Sequence, residues 1–183
     1  MKFSILKKIT PLFLALGYIH AQLHTGDLVF RQGQGFFSEI ARNFSPTDKR
    51  FSHVGIIYID KNKTYVIHSV DDNDKNLHGV SKVHLKSFIS EALQYSFYTL
   101  HLNYLHQKEM KIILEEQVRR HLPFDTLYSL KSDSSVYCTE FIWKVLRELL
   151  NKDIITGRTS LNNEIFLSIE DVLKIPGLIK ISQ

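Results

Sequence analysis

One thiol and two histidines carry the chemistry that this sequence offers. Cys138 is the only cysteine among 183 residues and stands at the head of the stretch CTEFIWKVLRELL. Behind it, Phe141, Ile142, Val145, Leu146, Leu149 and Leu150 recur with the spacing of one apolar helical face. The sulfur therefore belongs at a helix start, on the same side as that stripe. Unpaired backbone N–H groups and the positive end of the helix dipole would favour its thiolate. A free thiol titrates near about 8.5, and such a position beside an imidazolium lowers that value. With a base in reach the thiol is a nucleophile; without one it is a small core residue.

Two histidines qualify as that base by geometry. The stretch FSHVGIIYIDKNKTYVIHSV is rich in strand formers on either side of Asp60-Lys61-Asn62-Lys63, and reads as a hairpin. Pairing Asp60 with Lys63 sets His53 opposite Val70 and His68 opposite Gly55. The two imidazoles then project from one face as diagonal neighbours, roughly 7–8 Å apart at Cβ, unless a bulge breaks the register. His53 can act as the base, and His68 as the group that fixes its tautomer. The histidines at 20, 24, 78, 84, 101, 106 and 121 show no ligand spacing. Sulfur and imidazole also suit zinc, so a site made of His53, His68 and Cys138 is the metal alternative. The sequence is read as having no metal, nucleotide or organic cofactor.

Other motifs fail on inspection. Gly33 and Gly35 form a GxG, but Ser38 stands where the dinucleotide fingerprint needs its third glycine. Asp72, Asp74 and Asn76 resemble a calcium loop, but Leu77 replaces the glycine and Val83 the closing glutamate. That stretch is a solvated loop.

The elements that must hold the three residues are few. A strand follows the turn His24-Thr25-Gly26-Asp27, and Phe37, Ile40, Ala41 and Phe44 mark a surface helix closed by Pro46. Extended segments are expected near 80–85 and 95–102. A helix over 106–121 turns Met110, Ile113, Leu114 and Val118 inward. Ser168 and Asp171 cap a short last helix before Pro176-Gly177.

The chain opens with a basic, then apolar, stretch through Ala21, which reads as a secretory signal peptide. Its apolar run is shorter than the roughly 20 residues that a membrane span needs. The signal peptide is expected at 1–21 and a single domain at 22–183. The leader holds three of the 23 basic residues and none of the 19 acidic ones, so the remainder is nearly neutral. The isoelectric point near 9.1 is thus no argument for nucleic-acid binding. An exported protein, periplasmic or extracellular, with one cysteine cannot form an internal disulfide.

GDLVF at 26–30, FSHVGIIY at 51–58, YVIHSV at 65–70 and the late VYCTEFIWKVL together resemble the circularly permuted papain-like cysteine hydrolases, in the YiiX-like branch of the NlpC superfamily. The histidine precedes the cysteine, which is the permuted order. The resemblance spans nearly all of the chain after the leader. It implies an α+β fold, with a curved antiparallel sheet carrying the histidines and a helix presenting the cysteine. It implies Cys138 as nucleophile and His53 as general base. Close relatives usually place a glutamate on the next strand, where this chain has His68; Asp72 or Asp125 would then assist. Tyr137 either lines the substrate pocket or belongs to the core. The implied activity is amidase or peptidase action through an acyl-enzyme, with cell-wall (peptidoglycan) peptides as a substrate class. The alternatives are lipid or thioester acyl chemistry at the same site, and a binding domain that has lost catalysis.

Overall fold

The computed structural model describes residues 22–161 and 163–182. The leader expected at 1–21 lies outside the described residues. One antiparallel sheet organises the rest. Its strands are β1 (Leu28–Gln32), β2 (His53–Asp60), β3 (Lys63–Asp72), β4 (Leu77–His84), β5 (Gln94–Thr99) and a last strand, Ile179–Lys180. In space the order is β4-β3-β2-β1-β5 and then that last strand. With β6 (Thr159–Leu161) and β7 (Glu164–Phe166) forming a separate hairpin, the last strand becomes β8. The helices are α1 (Phe36–Asn43), α2 (Leu85–Ser90), α3 (Tyr104–Arg120), α4 (Cys138–Leu150) and α5 (Ile169–Leu173). This is the α+β architecture that the sequence implies. No helix among the described residues is long and apolar enough to cross a membrane.

Alternation along the strands builds two unlike faces. Leu28, Phe30, Val54, Ile56 and Ile67 face one way, into a large core shared with Met110 and Leu114 of α3 and with Phe141, Ile142, Val145 and Leu146 of α4. Val29, Ile57 and Val66 face the other way, where Phe88 of α2 and Phe97 complete a smaller buried cluster edged by residues such as Leu85 and Ile89. The helix expected over 106–121 and the capped helix after Ser168 are both present, the latter with Ser168 Oγ accepting the Asp171 N–H at 3.2 Å. Four of these elements, α2, β8 and the two strands of the β6–β7 hairpin, were not anticipated from sequence. The helix α2 has six residues, and its stripe of Leu85, Phe88 and Ile89 is too short to tell from an extended segment. The strand β8 has two residues and gains its identity solely by pairing with Tyr98 and Thr99.

Candidate active site

Cys138 is the first residue of α4, and the Tyr137 N–H preceding it is taken by the buried Glu140 carboxylate at 3.4 Å. That carboxylate also binds the Lys144 ammonium at 3.1 Å, so the first turn is internally satisfied and keeps the cysteine end in place. Around the sulfur stand the backbone N–H groups of Val54, Cys138 and Thr139. Val54 belongs to β2 and is the neighbour of His53.

The sheet makes room for this approach. The β2–β3 ladder runs from Asp60↔Lys63 to Ile56↔Ile67 and stops there. The register is the one expected from the turn. Beyond it, the Ser69 hydroxyl of β3 donates to the Val136 carbonyl at 2.5 Å, while Val54 of β2 meets the sulfur. The chain leading into α4 is therefore fastened to both strands where their own pairing ends. This brings the cysteine from the large-core face to the end of the strand that begins with His53.

His53 Nε2 and His68 Nδ1 lie 2.7 Å apart. Their rings meet edge to face, at 5.0 Å and 80°, and Phe88 packs against both. A Cβ on Gly55 would stand 2.4 Å from Val66 Cγ1 and 3.2 Å from His68 Cβ. Only glycine permits the strands to approach this closely, and the imidazole contact depends on it. Among the described residues no hydrogen bond occupies His53 Nδ1. A His53 that keeps this nitrogen unprotonated carries its proton on Nε2 and donates it to His68 Nδ1.

Sequence reasoning missed Arg31. It pairs with His53 across β1 and β2, so the two side chains share a face. Its guanidinium carbon sits 4.4 Å from the Phe88 ring centroid, and Nη1 donates to the Phe88 carbonyl at 2.7 Å. The signal was available: the SHVG histidine begins one strand, and GDLVFR places an arginine on the strand beside it. Only the pairing register, which a single sequence does not fix between non-hairpin strands, joins the two.

The electrostatics correct one expectation. Burial pushes the Cys138 thiol up to about 11, against the opposing pull of the Val54, Thr139 and Cys138 N–H groups and the Arg31 charge. The residue as a whole is only partly covered, but the surroundings of its sulfur are dense. Burial, then His68 and Arg31, hold His53 well below its ordinary value. Burial, then Arg31 and Lys75, bring His68 down to about 3, with Asp72 opposing. These directions favour a neutral thiol and neutral imidazoles near neutral pH, against the thiolate anticipated from the helix dipole. Desolvation of a charge outweighs the dipole here.

Other expected residues fall elsewhere. Tyr137 is 1% exposed, and its hydroxyl accepts the Leu167 N–H at 2.8 Å, which sets it in the core beneath the cysteine rather than on an open wall. Asp125 accepts the N–H groups of Leu127 and Ser129 at 2.9 and 2.8 Å and so shapes the loop before α4. Asp72 reaches the histidine pair electrostatically through His68.

The thiol stands at a helix start, one histidine on the first residue of a strand and the other on the next strand, with both histidines before the cysteine in the chain. Residues 22–172 match the family described as permuted papain-like amidase enzyme, YaeF/YiiX, C92 family, and the chain belongs to that family. It is 28% identical over 131 residues to the uncharacterized protein YiiX of Escherichia coli strain K12, a match covering 70% of this chain and 60% of the relative. The fold is shared with a solved Escherichia coli O157:H7 structure described as metalloprotein yiiX, DUF1105, at a TM-score of 0.73 and 21% identity, covering 87% of this chain and 97% of that one. Among the described residues no three His, Cys, Asp or Glu side chains are grouped to hold an ion, and the facing nitrogens of His53 and His68 are occupied by each other.

Proposed function

We propose that this chain is an exported cysteine hydrolase that cleaves amide bonds, with peptides of the cell wall as its substrate class. The observation that carries the reading is the 2.7 Å contact of His53 Nε2 with His68 Nδ1, which leaves His53 Nδ1 as the free ring nitrogen on the residue next to Val54, whose N–H stands by the Cys138 sulfur. Sulfur attacks the carbonyl carbon while His53 Nδ1 takes the thiol proton, so no thiolate need exist beforehand. The tetrahedral oxyanion draws on the Cys138 N–H. The imidazolium returns the proton to the departing amine and leaves a thioester. Water then attacks that thioester as His53 accepts its proton, and collapse releases the acid and restores the thiol.

A second reading, acyl-ester or thioester chemistry at the same sulfur, is favoured by one feature. Phe36 and Phe37 of α1 are 70% and 80% exposed, and the segment leading into that helix is tied by the Gly33 N–H to Ser52 Oγ, at the residue before His53. The deciding experiment offers peptidoglycan peptides and acyl esters to the protein and to its Cys138→Ala and His53→Ala variants. Product release and intact mass are followed. Amide turnover with a transient acyl adduct, lost in both variants, supports the reading. Ester turnover alone moves it to the second. A protein that turns over neither, and whose Cys138 alkylates at the same rate with and without His53, is a binding domain and overturns both.

A further inference from the structure

The outer side of His68 is as specifically built as its inner side. His68 is 2% exposed, and its Nε2 has no hydrogen-bond partner among the described residues. The same holds for the buried Arg31 Nε. Both side chains line one small, partly open cavity of about 30 Å³, whose lining also includes Phe88, Asp72, Lys75 and Glu91. Such a volume accommodates one water, and a stable water needs two to four polar partners. Two buried orphan groups and two carboxylates among the lining residues meet that condition.

We propose that a single ordered water in this cavity joins His68 to Asp72 and makes Asp72 a positioning residue for the catalytic pair. The water accepts from His68 Nε2–H and Arg31 Nε–H and donates towards the Asp72 carboxylate. That arrangement uses both orphan groups as donors, as Arg31 Nε must be. It also fixes the tautomer of everything inward. With its proton on Nε2, His68 presents a lone pair at Nδ1. His53 then donates from Nε2 and keeps Nδ1 bare for the thiol. The reverse order, with the proton on His68 Nδ1, would place a proton on His53 Nδ1 and disable the base.

Asp72 is chosen over Glu91 because its charge acts on His68. Glu91 instead lies by Arg31, at 3.5 Å from Nη1. Lys75 ties both carboxylates, with Nζ at 2.7 Å from Asp72 Oδ2 and 2.6 Å from Glu91 Oε2. The catalytic consequence rests on the functional reading above, whereas the tautomer does not.

The test is nitrogen NMR of the histidine side chains in the full chain labelled with ¹⁵N-histidine, near neutral pH. The expected spectrum shows His68 protonated at Nε2 and His53 protonated at Nε2. Asp72→Asn keeps the side-chain shape and the Lys75 N–H contact but removes the charge, and is expected to shift a measurable fraction of His68 to the Nδ1–H form. Glu91→Gln is expected to leave the populations unchanged. A wild-type His68 protonated at Nδ1 overturns the proposal without any variant. So does an Asp72→Asn spectrum identical to wild type, or a shift produced by Glu91→Gln instead. Alkylation of Cys138, measured on the same samples with and without His53→Ala, reports separately on the hydrolase reading.

Discussion

The two faces of the sheet are built for different ends. The face under α3 and α4 is apolar and thick, and residues such as Ile56, Ile67, Leu114 and Ile142 are wholly buried there. The opposite face is covered by the short helix α2, and in place of a full core it holds His53, His68 and Arg31 around the single ring of Phe88. Stability resides on the first face and ionisable chemistry on the second. Cys138 packs with the first face, and the Arg31 charge of the second acts on its sulfur. A polar site beside a thin apolar cover is costly unless its groups stay neutral or bonded, and the depressed histidine values are that cost expressed as protonation.

Substitutions on the two faces should therefore separate cleanly. Phe141→Ala, on the thick face, is expected to remove about 3–5 kcal/mol of stability, read as a lower urea midpoint. Its specific activity per folded molecule should change little. His53→Ala should do the opposite, cutting turnover by about 10²–10⁴-fold with the midpoint nearly unmoved. A His53→Ala protein that unfolds as readily as Phe141→Ala would mean that the histidine face is structural, and the contrast would fall.

Protonation offers a finer probe of the thin face. His68 titrates at about 3 when folded, from an ordinary value of 6.5. Between those values the unfolded chain binds the proton and the folded one does not, so stability falls as pH drops through that interval. The contribution is full above about pH 6.5 and amounts to at most about 5 kcal/mol over the whole span. Urea midpoints measured from pH 7 down to pH 4 should decline, and should decline less in His68→Gln. Equal slopes in both proteins would place the acid sensitivity elsewhere.

Much of this contrast was legible beforehand, for identifiable reasons. The hairpin turn at Asp60–Lys63 fixes the β2–β3 register by its length, so His53 and His68 were placed together correctly. The stripe from Phe141 to Leu150 announced α4 and its cysteine end. What escaped is non-local. Arg31 joins the site through the pairing of β1 with β2, which no turn dictates. The helix α2 has only six residues, so its stripe of Leu85, Phe88 and Ile89 is too short to detect as a period. The neutral thiol escaped because helix position argues for a thiolate, while the density around the sulfur, which argues against it, exists only in the folded chain. Tyr137 looked available because it neighbours the cysteine, yet as N-cap it turns into the core.

The smallest expected effect tests whether Arg31 governs the thin face electrostatically. Its positive charge disfavours protonation of both histidines and favours the thiolate of Cys138. Removing it in Arg31→Gln should raise both histidine values towards 6.5 and raise the thiol further. Turnover that depends on unprotonated His53 should then begin to fail at a higher pH, so the acid limb of the rate profile moves towards neutrality. The limb depends on the base and moves up because its protonated form is no longer opposed. In wild type the limb should lie well below pH 6.5, since burial, His68 and Arg31 all act in that direction. The displacement should be under about one pH unit, because burial is the first cause and remains. Arg31→Lys keeps the charge but not the planar contact with Phe88, and should leave the limb near its wild-type position. A limb that moves equally in Arg31→Lys and Arg31→Gln would assign Arg31 to packing against Phe88, and the charge of this face would no longer explain why its histidines stay neutral.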